Sequence, residues 1–170
     1  TSFAFFRRIF DERSQAFAEV MADHAYIDAM ALHLVQRPWE FDVLVTENMF
    51  GDIISDLGAG LIGGMGYAPS ADIGDGHGVF QPAHGSAPDI AGKGVANPTA
   101  MVLSAAMMLE WLAERHDEPS LAAAGSMLRA AVDHAFADGT LRTVELGGSA
   151  GTAAVAQAFE AALDRIARRR

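Results

Sequence analysis

Eleven of the chain's 17 glycines crowd between Gly58 and Gly94 of its 170 residues. So dense a run cannot be regular structure throughout, because glycine is depleted in strands and costs about 1 kcal/mol in a helix interior. It separates two stretches of ordinary texture, and the composition shift near Gly63 is the candidate boundary. The run itself must be rich in loops. Glycine lets a ligand approach the backbone, so this is also the first place to look for a binding site.

On the N-terminal side, Phe3, Phe6, Phe10, Phe17 and Met21 recur at three-, four- and seven-residue steps, which predicts one helical face. Asp28 is placed to cap a second helix carrying Met30, Leu32, Leu34 and Val35, which Pro38 ends. Residues 41–46 (Phe-Asp-Val-Leu-Val-Thr) read as a strand, and a helix follows from about Phe50 to Leu61. Within the glycine-rich run, Val79-Phe80 reads as a short strand and residues 81–89 as a shaped loop.

Asn97 then Pro98 predicts a helix start, a capping side chain followed by proline at the first helical position. That helix, to about Glu114, is apolar nearly all round and reads as a core element, with Met101, Met107 and Met108 as filler. Leu121, Ala124, Leu128, Val132 and Phe136 trace another helix closed by Gly139. Val155, Phe159, Leu163 and Ile166 trace the last, starting near Thr152. Its Arg165, Arg168, Arg169 and Arg170 suit the negative end of a helix dipole.

Charge and cysteine usage exclude several functions. Twelve basic against 22 acidic side chains leave a net −10, which repels nucleic acid and anionic membranes. With no cysteine there is no disulfide, thiolate metal site or thiol nucleophile. The apolar stretch from Ala100 to Leu109 stops at Glu110, short of the roughly 18 residues of a membrane span. The first residues lack a secretory signal pattern, so a cytoplasmic location is expected. The chain opens on helix without a methionine, and its only lysine is Lys93; we expect further sequence upstream.

Two constellations could carry chemistry. Asp52 and Asp56 are four apart, so a helix puts both carboxylates on one face, where they repel. A divalent cation such as Mg²⁺ or Mn²⁺ would compensate, taking oxygen ligands and keeping several waters. An ordinary solvated acidic pair is the alternative. The second is His84-Gly85-Ser86-Ala87-Pro88-Asp89 with Gly92-Lys93-Gly94 and Asn97 behind it. Ser86 and Asn97 offer hydrogen bonds, and an acidic side chain such as Asp89 can accept both hydroxyls of a ribose. No Gly-x-Gly-x-x-Gly fingerprint is present, and a loop whose histidine and proline merely hold a turn is the alternative. The remaining histidines (His24, His33, His77, His116 and His134) have no metal-ligand spacing.

Taken together, four segments resemble the isocitrate/isopropylmalate dehydrogenase family of metal-dependent β-decarboxylating dehydrogenases. They are residues 26–31 (Tyr-Ile-Asp-Ala-Met-Ala), 48–56 (Asn-Met-Phe-Gly-Asp-Ile-Ile-Ser-Asp), 84–98 and, more weakly, 146–152 (Leu-Gly-Gly-Ser-Ala-Gly-Thr). The resemblance implies an α/β, two-domain, isopropylmalate dehydrogenase-like fold of which this chain is the C-terminal half. Residues 1–62 would belong to the central substrate and dimerisation domain, and 63–170 to the cofactor-side domain.

It implies that Asp28, Asp52 and Asp56 ligate Mg²⁺ or Mn²⁺, with Asp28 reaching into a partner subunit's site in a homodimer. It further implies that His84, Gly85, Ser86, Ala87, Asp89, Ala96 and Asn97 hold the adenosine half of the cofactor. Aspartate at 89, where NADP-using relatives typically carry lysine, would repel a 2′-phosphate and so favours NAD. The family's catalytic tyrosine and lysine would lie upstream, so no catalytic residue is assigned and the 170 residues alone are expected to be inactive.

The expected reaction is oxidative decarboxylation of a 3-substituted malate, a 2-hydroxy acid, with 3-isopropylmalate first. Leu57, Gln81 and the run 66–74 depart from the isopropylmalate pattern, so isocitrate/homoisocitrate and tartrate/malate types remain alternatives, as does a non-catalytic regulatory subunit.

Overall fold

Phe3, Phe6 and Phe10 lie on α1 (Ser2–Ser14). The structure, a computed structural model, describes residues 2–168; Arg169 and Arg170 of the expected dipole-facing arginines lie outside them. The chain divides into two compact units, Thr1–Leu61 and Ile62–Arg170.

In the first unit, α1 stops at Ser14, seven residues short of the helix expected to reach Met21. Turn hydrogen bonds from Ala16 N–H to Arg13 O and from Phe17 N–H to Ser14 O carry the chain out of the helix. Phe17 and Met21 instead line an apolar groove of about 680 Å³ with Phe10, Val43 and Phe50. The second helix, α2 (Ile27–Gln36), begins one residue before Asp28. Asp28 therefore sits inside the first turn rather than at the cap, where its negative charge suits the helix N-terminus.

Residues 41–46 form no strand, contrary to their β-branched composition. A strand exists through its ladder, and among the described residues nothing pairs with this segment. Val43 is accordingly 79% exposed. The expected helix is present as α3 (Asn48–Leu61), with Ile54 and Ala59 buried. Glu47 caps it: its carboxylate oxygens accept the N–H groups of Met49 (3.1 Å) and Phe50 (2.9 Å).

The second unit starts with an antiparallel hairpin, β1 (Pro69–Ile73) and β2 (Gly78–Pro82), paired Pro69 to Pro82 through Ile73 to Gly78. Three helices follow: α4 (Thr99–His116), α5 (Pro119–Phe136) and α6 (Thr152–Ala167). The hairpin lies on α4, pinned by Ser104, whose hydroxyl donates to Gln81 O at 2.8 Å and accepts Ser70 N–H at 3.3 Å.

What α4 buries is its small side chains, Ala100, Ser104, Ala106 and Ala113. The expected methionine filler is partly wrong, since Met101 is 52% exposed and Met108 is also exposed. Close approach favours the small residues: at Gly125 of α5 an added Cβ would stand 2.9 Å from Glu110 Cγ and 3.0 Å from Ala106 O. Arg129 of α5 bridges the same crossing, donating through Nε (2.6 Å) and Nη2 (2.7 Å) to the two carboxylate oxygens of Glu110. That bidentate bond holds the Glu110 carboxyl below the usual carboxylate range against the opposing pull of burial. Val132, Ala135, Val155 and Phe159 complete the core between α5 and α6.

Candidate functional site

The carboxylates belong to the first unit. Asp52 and Asp56 sit one turn apart on α3, both exposed, within the fourteen-residue helix that Glu47 starts. Asp52 Oδ2 accepts a hydrogen bond from Asn48 Nδ2 at 3.2 Å, and among the described residues no basic side chain pairs with either carboxylate. Two bare like charges at i and i+4 cost the helix a few tenths of a kcal/mol. Ile54 faces the unit's interior while the aspartates face out, so the pair is presented to whatever lies outside the unit.

Asp28 is exposed on α2, its Oδ1 accepting the N–H of Ala29 at 2.8 Å. The structure does not gather it with the other two: among the described residues, no three His, Cys, Asp or Glu side chains come close enough to hold a metal ion. Each of the three offers only oxygen donors, the set a hard divalent cation takes.

The loop belongs to the second unit. After β2 the chain turns through His84, whose Nδ1 donates to Gly85 O at 2.9 Å. A carbonyl only accepts, so Nδ1 is the donor in this bond. Ala87 adopts the left-handed conformation (φ 42°), rare for a residue with a Cβ, and delivers the chain into a single helical turn, Pro88–Ile90, that carries Asp89. Gly92 and Gly94 are also left-handed (φ 75° and 66°). Around Gly85, Gly92 and Gly94 nothing lies within 4 Å of where a Cβ would be. Backbone at these positions is thus open to a flat or anionic ligand. His84, Ser86, Asp89, Lys93 and Ala96 are all exposed along it.

Asn97 is different. It is only 7% exposed, and its side chain is largely spent on the protein. Its Oδ1 accepts both the N–H (3.1 Å) and the hydroxyl (2.6 Å) of Thr99, and Nδ2 donates to Glu145 Oε1 at 2.7 Å. It does cap α4, but from one residue further back than expected: Pro98 is the flanking residue and Thr99 the first helical one. At most one amide hydrogen of its side chain remains for a ligand.

Sequence reasoning missed the residues that hold this loop from behind. Thr152 donates its N–H to Gly94 O (2.8 Å) and its hydroxyl to Ala96 O (2.5 Å). Tyr67 Oη and Thr143 Oγ1, the latter fully buried, share a hydrogen bond of 3.0 Å. The signal available was the segment 146–152, whose Gly148 and Gly151 each press against backbone, Arg142 and Gly94 respectively.

Comparison with known proteins gives this geometry a context. Residues 1–162 match the family profile described as isocitrate/isopropylmalate dehydrogenase. A 3-isopropylmalate/3-methylmalate dehydrogenase of Methanocaldococcus jannaschii is 47% identical over 152 residues, 89% of this chain and 43% of that protein. An isocitrate/homoisocitrate dehydrogenase of Thermus thermophilus is 51% identical over 155 residues, 91% of this chain and 44% of that protein. Among solved structures, the isocitrate dehydrogenase from Methylococcus capsulatus matches with a TM-score of 0.85 at 41% identity, covering 94% of this chain and 46% of that one. The chain spans less than half the length of each of these relatives.

Proposed function

The chain belongs to the isocitrate/isopropylmalate dehydrogenase family, and from that premise we propose that the whole protein oxidises and decarboxylates a 3-substituted malate using NAD and Mg²⁺ or Mn²⁺. The observation that carries the reading is the unpaired Asp52/Asp56 couple on one face of α3, an arrangement that costs stability unless a cation joins it. An ion bound there would polarise the carbonyl formed by hydride removal and stabilise the enolate left by CO₂ loss. The chain's own part is to fix those carboxylates on a rigid helix. Asp28, exposed on α2, would complete the ligand set from a second copy in a homodimer with shared sites.

The second unit would supply the cofactor side. Its open, left-handed loop from His84 to Asn97 leaves backbone free for the adenosine, with Asp89 accepting the ribose hydroxyls. Lys93 stands in that loop and Tyr67 bonds Thr143, so neither is assigned proton transfer.

The substrate proposed first is 3-isopropylmalate. Leu57 and Gln81 depart from the isopropylmalate pattern, and the run 66–74, with the likeness to an isocitrate/homoisocitrate enzyme, favours the tricarboxylate substrates as the second reading. The test is NADH production by the full-length protein with Mn²⁺ on 3-isopropylmalate, isocitrate, homoisocitrate, tartrate and malate. One substrate should dominate, and chelation with EDTA should stop turnover. Silence on all five sinks the proposal.

Cofactor choice has its own test. Asp89→Lys should weaken NAD about tenfold and improve NADP relative to it, since a ribose acceptor becomes a phosphate partner. If the affinities for both cofactors stay at the wild-type values, Asp89 does not touch the ribose.

A further inference from the structure

The Asn97 amide is buried with three of its four hydrogen-bonding positions filled, and two one-way partners, the Thr99 N–H and the Glu145 carboxylate, decide which way round it sits. A carboxylate only accepts, so Glu145 can face the NH₂ edge alone. Turning the amide over would set Asn97 Oδ1 against the Glu145 carboxylate and Nδ2 against the Thr99 N–H, leaving two repulsive contacts in place of two bonds. Gly66 makes room for this pair: a Cβ there would stand 2.5 Å from Glu145 Oε1 and 2.8 Å from Asn97 Cβ. The three residues are far apart in sequence and meet only in the folded unit. Just before Asn97, Gly94 and Ala96 are fastened through their carbonyls to Thr152 at the start of α6.

We infer that Glu145 is a positioning residue for adenosine binding: its carboxylate anchors the NH₂ edge of the Asn97 amide, whose oxygen edge the Thr99 N–H holds, and, with Thr152, keeps residues 94–97 in the ligand-ready shape. The inference rests on the reading of residues 84–97 as the adenosine site. A loop already ordered by the protein spares the ligand the cost of ordering it. The orientation matters because the amide's remaining hydrogen is the one polar contact its side chain can still offer.

The test uses the full-length protein, with AMP and NAD affinity by calorimetry and steady-state kinetics on the preferred substrate. Glu145→Ala should weaken AMP about tenfold and raise the KM for NAD by a similar factor, the scale of one lost charge-assisted hydrogen bond. Its kcat and Mn²⁺ affinity should stay within about twofold. Glu145→Gln keeps a carbonyl oxygen able to accept from Asn97 Nδ2 and should recover AMP affinity to within about threefold. Gly66→Ala, which pushes into the same pair, should reproduce the Glu145→Ala loss, and it carries the test should Glu145→Ala fail to fold.

Equal losses in Glu145→Gln and Glu145→Ala would mean the charge itself meets the ligand, which overturns the positioning role. So would AMP affinity left at the wild-type value in Gly66→Ala. A wild-type protein that binds neither AMP nor NAD would overturn the adenosine reading itself, whereas wild-type binding with unaffected variants overturns this inference alone.

Discussion

In the full-length protein, Asp52→Asn and Asp56→Asn are each expected to lower Mn²⁺ affinity by about 100-fold or more, and turnover with it. Even partners one shell out from a metal typically contribute about 10–100-fold in affinity, and a direct carboxylate ligand must exceed that. Both side chains are exposed on an intact helix, so the replacement should not unfold anything. Removing one of two like charges four residues apart should leave the metal-free variants as stable as the wild type, or more so by about 0.2–0.5 kcal/mol. Melting with and without Mn²⁺ reads out both effects. The wild type should rise in Tm on metal addition and the variants should not, because only a bound ion stabilises the native state by mass action. Variants that gain as much from Mn²⁺ as the wild type would remove Asp52 and Asp56 from the site. Asp28 enters through hybrids: mixing Asp28→Asn subunits with Asp52→Asn subunits should restore about half-activity per mixed dimer, since one of its two sites then has every ligand.

Local features were legible in the sequence and non-local ones were not. The face that carries Asp52 and Asp56 could be read because i and i+4 are neighbours on any helix, and α3 runs Asn48–Leu61 against an expected start near Phe50. The spacings of α5 and α6 were equally local, and Val155 and Phe159 are buried as their period requires. Periodicity failed where the backbone turned beneath it. Phe17 and Met21 continue the spacing of α1 past its end, but the chain has left the helix there and both side chains are exposed, Met21 at 95%.

Strand reading held at Val79-Phe80, inside β2, and elsewhere failed in both directions for one reason. Residues 41–46 have β composition without a partner, whereas Pro69–Ile73 has poor β composition and is a strand because Gly78–Pro82 pairs with it. The Asn97–Glu145 bond spans 48 residues and carries no local signature at all. The weakest of the four resembling segments, 146–152, turns out to belong to the frame that holds residues 94–96.

That frame makes the second large prediction. Gly151 precedes α6 with φ −86° and ψ −177°, a conformation open to any residue, so backbone strain does not explain glycine there. Space does. A Cβ at this position would fall far inside van der Waals contact with Gly94 O, and the neighbour is backbone that cannot swing aside. Gly151→Ala must therefore push the two segments apart, breaking the Thr152 N–H bond to Gly94 O and the Thr152 hydroxyl bond to Ala96 O. Overpacking of this kind with lost hydrogen bonds costs about 2–4 kcal/mol, which should lower Tm by about 5 °C or more. AMP affinity should fall with it, because the shifted carbonyls belong to the loop proposed to receive adenosine. Gly58→Ala is the matched control: nothing lies within 4 Å of its Cβ inside α3, so alanine should leave Tm unchanged or raise it by the helix-propensity gain of about 1 kcal/mol. A Gly151→Ala protein that melts with the wild type and binds AMP as tightly would show that residues 94–97 are held by something other than the start of α6. The Glu145 inference would then lose the frame it shares with Thr152.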